Sequence, residues 1–358
     1  MYLKQIALQN FRNYLSATWE FDPRGNLIIG PNGCGKTNLL EAVAYCGVGK
    51  SIHFHRDDEL LHYGADLFTI RSSFALDTQL TLSFQLAYQA GRKLLKLDEQ
   101  PVRQLSRLFE CVKVIYCAPE DMNLIGGSPR CRRQYFDLAI SQLYPQYIPL
   151  LREYLHLVEQ RNTLLKREYE PAEKRGWDLK FAHSLIEVLK FRRRYLELVN
   201  NSFSTEFSCI SNQARDIRLN YLCYGPNGYT EDPERIMKHL SQLETREKRY
   251  QRSLIGAHLD DYEFILAGHE LKTFGSQGQK RVAVIVLKLI QAALIETVTG
   301  IKPILLFDDI FAELDAEHTH RIRELVDYRY QVFIASPRSD ISQVWTELER
   351  LPLPGVAS

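Results

Sequence analysis

No feature constrains this chain more than Gly30-Pro31-Asn32-Gly33-Cys34-Gly35-Lys36-Thr37, which fits the pattern G-x-x-x-x-G-K-[ST]. The pattern carries meaning only between a strand and a helix. Both flanks are present. Asn26-Leu27-Ile28-Ile29 is an apolar run of strand length, and Asn38 to Tyr45 repeats apolar residues at helical spacing. Glycines let the backbone curl until several N–H groups face one anion, and the following helix aims the positive end of its dipole at the same point. Lys36 can then reach β- and γ-phosphates, and the Thr37 hydroxyl can ligate Mg²⁺. The stretch reads as a nucleotide site.

Composition narrows what can surround it. The 358 residues suggest about two domains. Net charge is +1, with 45 Lys and Arg against 44 Asp and Glu, so any nucleic-acid surface must be a local patch. Seven unevenly spaced cysteines without matched metal-ligand pairs read as reduced thiols in a cytoplasmic protein. The N-terminus lacks the apolar core of a signal peptide, and no run reaches the ~18 apolar residues of a membrane span. The longest apolar run, Val282 to Ile295, is interrupted by Lys288 and Gln291 and reads as a buried helix. No membrane partner is expected.

Along the chain, alternating runs at 2–9, 17–21, 67–74, 80–88 and 93–97 predict antiparallel strands, with Ala90-Gly91-Arg92 as a hairpin turn. Val112 to Cys117 predicts one more strand. From about Ser128 to Phe207 the composition changes, and long segments such as 145–169 and 177–203 carry apolar residues at three- and four-residue spacing, predicting two long antiparallel helices joined near Glu170-Pro171-Ala172-Glu173. Residues 211–228 read as extended and 232–252 as helix. Strands return at 262–266, 303–309 and 331–336, so a helical middle looks inserted between two halves of one ATPase.

Two further motifs carry chemistry. Ile304-Leu305-Leu306-Phe307-Asp308-Asp309 is an apolar strand ending in two carboxylates at a ligand-bearing sheet edge. Asp308 would hold Mg²⁺ through its water shell, and Asp309 would polarise the attacking water. Gly275-Ser276-Gln277-Gly278-Gln279 precedes the apolar helix; on its own it is no more than a serine cap. Glu313-Leu314-Asp315 follows the acidic strand and reads by itself as a helix start.

The order phosphate loop, S-x-G-Q, acidic strand resembles the ABC-type ATPases, in which the serine motif serves the γ-phosphate held by a second subunit. Finer motifs resemble the bacterial RecF family: Asn10 to Tyr14, Gly30 to Asn38 with Leu40-Glu41-Ala42, Pro119-Glu120-Asp121, Gly127-Ser128-Pro129, Arg132-Arg133, Ser276 to Gln279, and Asp308-Asp309 with Glu313 to Asp315. The resemblance implies an α/β fold: an ABC-type (SMC-like) ATPase head with mixed parallel and antiparallel sheets and an inserted helical arm. The ATPase domain would be 1–120 with 255–358, and the arm 121–254.

It also implies the site. Lys36, Ser276, Asp308 and Asp309 would be catalytic, and Thr37 and Asp308 would hold the metal. Arg12, Gly30, Asn32, Gly33, Gly35, Lys36, Thr37 and Asn38 would contact ATP, joined by Ser276, Gly278 and Gln279. The implied activity is weak, DNA-stimulated ATP hydrolysis. ATP–Mg²⁺ would drive a head-to-tail homodimer that clamps double-stranded and gapped DNA near single-strand junctions. With RecO and RecR it would help load RecA. Candidate DNA contacts are Arg130, Arg132 and Arg133, and Arg192, Arg193 and Arg194, though a charge run on a helix is usually a solvated face.

Three positions depart from the pattern. Cys34 is not the usual loop residue. Gly256-Ala257-His258-Leu259-Asp260-Asp261 lacks the Pro and Arg of the family's G-P-H-R-D-D, and His258 reads as a structural histidine. Ser336 stands where many ABC ATPases carry a γ-phosphate-sensing His. Three competing readings can be weighed. A transporter's nucleotide-binding subunit would carry a Gln in the loop after Tyr116-Cys117, which here reads Pro119-Glu120. An overcoming-lysogenization-type nuclease would need an acidic metal domain after the ATPase. A nucleotide-gated scaffold would not hydrolyse ATP.

Overall fold

Apolar–polar alternation at the start of the chain produces β1 (Tyr2–Phe11) and β2 (Tyr14–Glu20), and the apolar run before the phosphate loop produces β3 (Gly25–Ile29). After the helix Lys36–Val48 come β4 (Leu67–Ala75), β5 (Thr81–Gln89), β6 (Arg92–Leu97), β7 (Gln100–Pro101) and β8 (Val114–Cys117). The computed structural model describes residues 1–52, 56–76, 80–212, 214–224, 231–326 and 329–354, with 105 and 313 by backbone alone. β9 (Ile217–Leu222), β10 (Asp261–Leu266), β11 (His269–Glu270), β12 (Ile304–Asp308), β13 (Val332–Ser336) and β14 (Glu349–Arg350) complete the strands.

Two units separate by their internal contacts: 1–121 with 209–212 and 285–358, and 122–208 with 213–284. Residues 255–284, read from sequence with the ATPase half, therefore lie in the second unit. The helix Gln277–Thr299 runs unbroken across the division.

In the first unit an antiparallel sheet has the order β2-β1-β4-β5-β6-β7 and a parallel sheet the order β14-β3-β13-β12-β8. One face of the antiparallel sheet buries Ile6, Leu8, Phe68, Ile70, Phe84 and Leu86. Leu3 falls out of step with Ile6 because the β1–β4 register shifts between Leu3 and Gln5, an inserted residue that resets the alternation. Ala90 and Gly91 both take positive φ, 49° and 78°, the hairpin geometry whose twist matches the strands.

The parallel strands β12 and β13 are buried along their whole length, which is why they read as continuous apolar runs. Gly25 opens β3 at φ 111°, where a Cβ would stand 1.8 Å from the Val332 carbonyl oxygen. The helix Lys36–Val48 joins the core with both sheets, burying Leu39, Leu40, Val43, Ala44 and Tyr45.

The second unit holds the helices Pro129–Leu143, Tyr147–Leu164, Pro171–Asn200 and Pro233–Tyr250 and the sheet β11-β10-β9. The two long helices run antiparallel: Tyr147 meets Arg192, Tyr154 meets Phe181, and Arg161 meets Asp178. Their junction precedes Pro171, which takes the first helical position where its missing N–H is harmless. The sequence reading did not resolve Pro129–Leu143 as a separate helix. Its buried face carries Arg132, which reads as polar until its partner Asp261 is known. Of the extended segment expected over 211–228, Ile217–Leu222 is strand, and 213 and 225–228 lie outside the described residues.

Candidate nucleotide site

The phosphate loop leaves β3 at the C-terminal edge of the parallel sheet. Gly30 N–H donates to the Ser336 carbonyl at 3.3 Å, which ties the loop to the end of β13. Gly33 and Gly35 take φ 82° and 107°. At Gly35 a side chain is excluded twice, since a Cβ would lie 2.5 Å from the Tyr14 hydroxyl and 2.6 Å from Asn13 Nδ2. Tyr14 donates to the Gly35 carbonyl at 3.0 Å, and Asn38 donates to Asn13 at 2.8 Å, so the β1–β2 turn braces the loop. Lys36, almost fully buried, donates to the carbonyls of Gly30 and Pro31 at 2.9 and 3.0 Å. The helix behind carries no acid in its first turn and no side-chain cap, as an anion site requires.

Arg12 holds φ 52° in the turn between β1 and β2. Its Nε donates to buried Glu41 at 2.9 Å and its Nη1 to the Glu59 carbonyl at 3.1 Å, while Ser51 donates to the other Glu41 oxygen at 2.5 Å. Glu41, quoted from sequence only as part of a motif, is thus the residue that aims Arg12.

β13 lies between β3 and β12, so Ser336 ends the strand between the loop and the acidic pair. Asp308 is buried and accepts from the Tyr116 hydroxyl at 2.7 Å. Asp309 takes φ 50°, and its Oδ1 is buried with no hydrogen-bond partner among the described residues. Desolvation raises the Asp309 carboxyl above its ordinary value, against the pull of Lys36 and with the push of Glu120. That pairing brings the phosphate-loop lysine and the acidic strand into one field. Thr37, Asp308 and Asp309 supply hard oxygen donors, and the buried partnerless oxygen of Asp309 is a place for a cation's water shell, so these residues fit Mg²⁺. The Ser336 hydroxyl accepts from Arg338 N–H at 3.1 Å, a turn-closing role. Tyr116 and Glu120 were quoted from sequence only as parts of a strand end and a motif, without a role beside the acidic pair. Only the fold brings them to Asp308 and Asp309.

Ser276 and Gln279 form a reciprocal capping box: Gln279 N–H donates to Ser276 Oγ at 3.2 Å, and Ser276 N–H to Gln279 Oε1 at 2.9 Å. Among the described residues Gly278 has nothing nearer to a built Cβ than Ser276 Oγ at 4.0 Å, so no contact with them demands a glycine there. Asp315 accepts from His318 N–H at 2.8 Å and from its ring at 2.7 Å, and these bonds hold its carboxyl below the usual range. The side chain of Glu313 lies outside the described residues.

Two of the candidate DNA arginines are spent inside the second unit. Arg132 makes a two-point ion pair with Asp261 at 2.7 and 2.8 Å and donates to the Gly127 carbonyl. Arg192 grips Asp137, Tyr221 and the Ala257 carbonyl. Both are buried and paired within the unit, at variance with the exposed phosphate contacts expected of them. Arg133 donates to the Asp260 carbonyl, Arg193 lies 3.9 Å from Glu231, and Arg130 and Arg194 are exposed, with Arg194 over the Tyr144 ring.

The segment Gly256 to Asp261 is the hub that these arginines meet. Buried Asp260 accepts from Tyr221 and Tyr224, and a Cβ at Gly256 would lie 2.4 Å from the Tyr154 hydroxyl. His258 shares a 2.9 Å hydrogen bond with Tyr154, and burial, helped by Arg133, Arg161 and Arg192, pushes it down to about 4. It is a structural histidine.

The chain matches the model of the RecF/RecN/SMC N-terminal domain over residues 2–352. It is 31% identical to "DNA replication and repair protein RecF" of Ruminiclostridium cellulolyticum, over 88% of this chain and 87% of that one. It is 32% identical to the protein of that name from Synechocystis, over 94% and 91%. A solved structure described as the recombination mediator protein RecF-ATP in the RecFOR pathway superposes with a TM-score of 0.87 at 30% identity, covering 95% of this chain and 93% of that one. An SMC head bound to the C-terminal winged-helix domain of ScpA, 17% identical with a TM-score of 0.55 over 96% and 92%, shares the fold.

Proposed function

This chain belongs to the RecF family of DNA replication and repair proteins, an ABC-type ATPase family of ATP-linked repair, and from that premise we propose that it is an ATP-dependent DNA clamp of gap repair. The observation that carries the reading is Lys36 and the Asp308-Asp309 pair at one edge of the parallel sheet, following β3 and ending β12 on either side of β13. In the proposed cycle the loop N–H groups and Lys36 bind the phosphates, and Arg12, Asn32 and Asn38 flank the nucleotide. Thr37 and Asp308 would hold Mg²⁺, which when bound would neutralise charge developing on the transferred phosphoryl group. Asp309 orients the attacking water and takes its proton. Ser276, Gly278 and Gln279 serve the nucleotide of a second copy, which makes the ATP-bound form a head-to-tail dimer.

The DNA partners are double-stranded and gapped molecules, contacted by Arg130, Arg133, Arg193 and Arg194 in the second unit. We assign the first unit as the nucleotide-binding domain and the helical unit as the arm. RecO, RecR and RecA are the proteins it would work with, and the hydrolysis is slow and DNA-stimulated. A cytoplasmic setting is part of the same reading. The helix Gln277–Thr299 is long and apolar enough to cross a bilayer, yet its residues 282–287 are buried in protein and it carries buried Lys288.

Sedimentation with and without ATP–Mg²⁺, then with a short duplex, tests the proposal. Expected is a monomer that dimerises with ATP and then retains duplex. DNA binding indifferent to ATP, or a monomer throughout, removes the clamp while leaving the nucleotide site.

A further inference from the structure

The apolar helix Gln277–Thr299 buries a lysine within its apolar run. Lys288 is buried on it, beside Val284, Ile285 and Ala292. Burying an ammonium is costly unless it is paired and hydrogen-bonded. It is both: its Nζ donates to the Tyr116 carbonyl at 2.8 Å and to Asp121 Oδ1 at 2.9 Å, and Asp121 Oδ2 accepts from Ala118 N–H at 3.0 Å. One ammonium therefore closes the whole segment 116–121 at the end of β8.

That segment reaches the acidic strand. β8 and β12 are parallel neighbours, with Tyr116 opposite Leu306. Asp308 stands two residues further along β12, hence on the same face as Leu306. The Tyr116 hydroxyl spans that step and donates to Asp308 Oδ2 at 2.7 Å.

We propose that Tyr116 and Lys288 are positioning residues of the hydrolytic centre: Tyr116 fixes the Asp308 carboxylate in the orientation that receives a divalent cation, and Lys288 fixes Tyr116 by clamping segment 116–121. Groups that orient a metal-binding side chain typically cost about 10–100-fold in metal affinity or activity when lost. The inference rests on the nucleotide-hydrolysis reading above.

The test uses the full chain, saturating non-hydrolysable ATP analogue, and Mn²⁺ titrated by electron paramagnetic resonance. Tyr116→Phe removes only the hydroxyl. Expected are a Mn²⁺ dissociation constant about 10-fold or more higher, a lower kcat, and an unchanged KM for ATP and metal-free affinity for the analogue. Asp121→Asn and Lys288→Met should weaken Mn²⁺ in the same direction, and Lys288→Arg should recover part of the loss. If Lys288→Met does not fold, Asp121→Asn carries this arm. Wild-type Mn²⁺ affinity in Tyr116→Phe overturns the inference. Failure of the wild type to bind the analogue even with saturating Mg²⁺ overturns the underlying reading as well, so the two failures are distinguishable.

Discussion

Gly35 and Gly33 differ in what they forbid. Both hold left-handed backbone, which costs a non-glycine residue about 1–3 kcal/mol. Gly33 opens on space, whereas a Cβ at Gly35 collides with Tyr14 and Asn13, the braces of the loop. Gly33→Ala should therefore lower the melting temperature modestly and keep measurable ATP binding. Gly35→Ala should raise the ATP dissociation constant at least about tenfold, a loss of some 1.4 kcal/mol. Fluorescent-analogue titration separates the two.

His258 gives a pH prediction at the same scale. It ionises near 4 in the fold against 6.5 normally, so between those values the unfolded chain binds the proton that the folded chain refuses. Stability from this residue is thus full above about pH 6.5 and declines as pH falls toward 4, by up to about 1.4 kcal/mol per pH unit. Urea unfolding at pH 7 and pH 5 should show a smaller drop for His258→Asn than for the parent.

At the scale of elements, charged residues knit the helical unit. Arg161, from Tyr147–Leu164, pairs with Asp178 on Pro171–Asn200 and Glu247 on Pro233–Tyr250 at 2.8 and 2.9 Å, all three buried. Arg192 does the same for Asp137 and β9. Removing one member of a buried pair leaves its partner's charge uncompensated, at about 3–5 kcal/mol. Arg192→Ala should therefore unfold at markedly lower urea. Arg194→Ala should change stability by no more than about 0.5 kcal/mol but weaken duplex binding and flatten its salt dependence. Equal DNA affinity in Arg194→Ala and wild type would remove that residue from the proposed interface.

For the molecule as a whole the proposal stands on a second copy. Ser276 caps its own helix, so Ser276→Arg also costs that helix about 1 kcal/mol. Gly278→Gln is the cleaner variant, because a Cβ there meets no atom of the described residues nearer than 4.0 Å. It should fold and bind ATP as a monomer, and sediment as a monomer with ATP–Mg²⁺. Lys36→Met should lose the dimer by a different route, through loss of nucleotide affinity. A normal ATP-bound dimer of Gly278→Gln would refute the trans arrangement.

Features whose signal is local were legible along the chain. A glycine pattern between an apolar run and a helix, a strand ending in two aspartates, and alternating runs joined by Ala90-Gly91 are each written in adjacent residues, because backbone conformation and strand or helix period are near-neighbour properties. Tertiary structure alone decided which charges are spent. Arg132 and Arg192 look like Arg130 and Arg194 in sequence, yet Asp261 and Asp137, distant in the chain, bury the first two. Lys288 looked like an interruption of an apolar helix until Tyr116 and Asp121 came to it, and Tyr116 carried no signal until β8 lay beside β12. A charge is a partner or a free contact according to what the fold sets within about 4 Å of it, and that distance is not written in the order of residues.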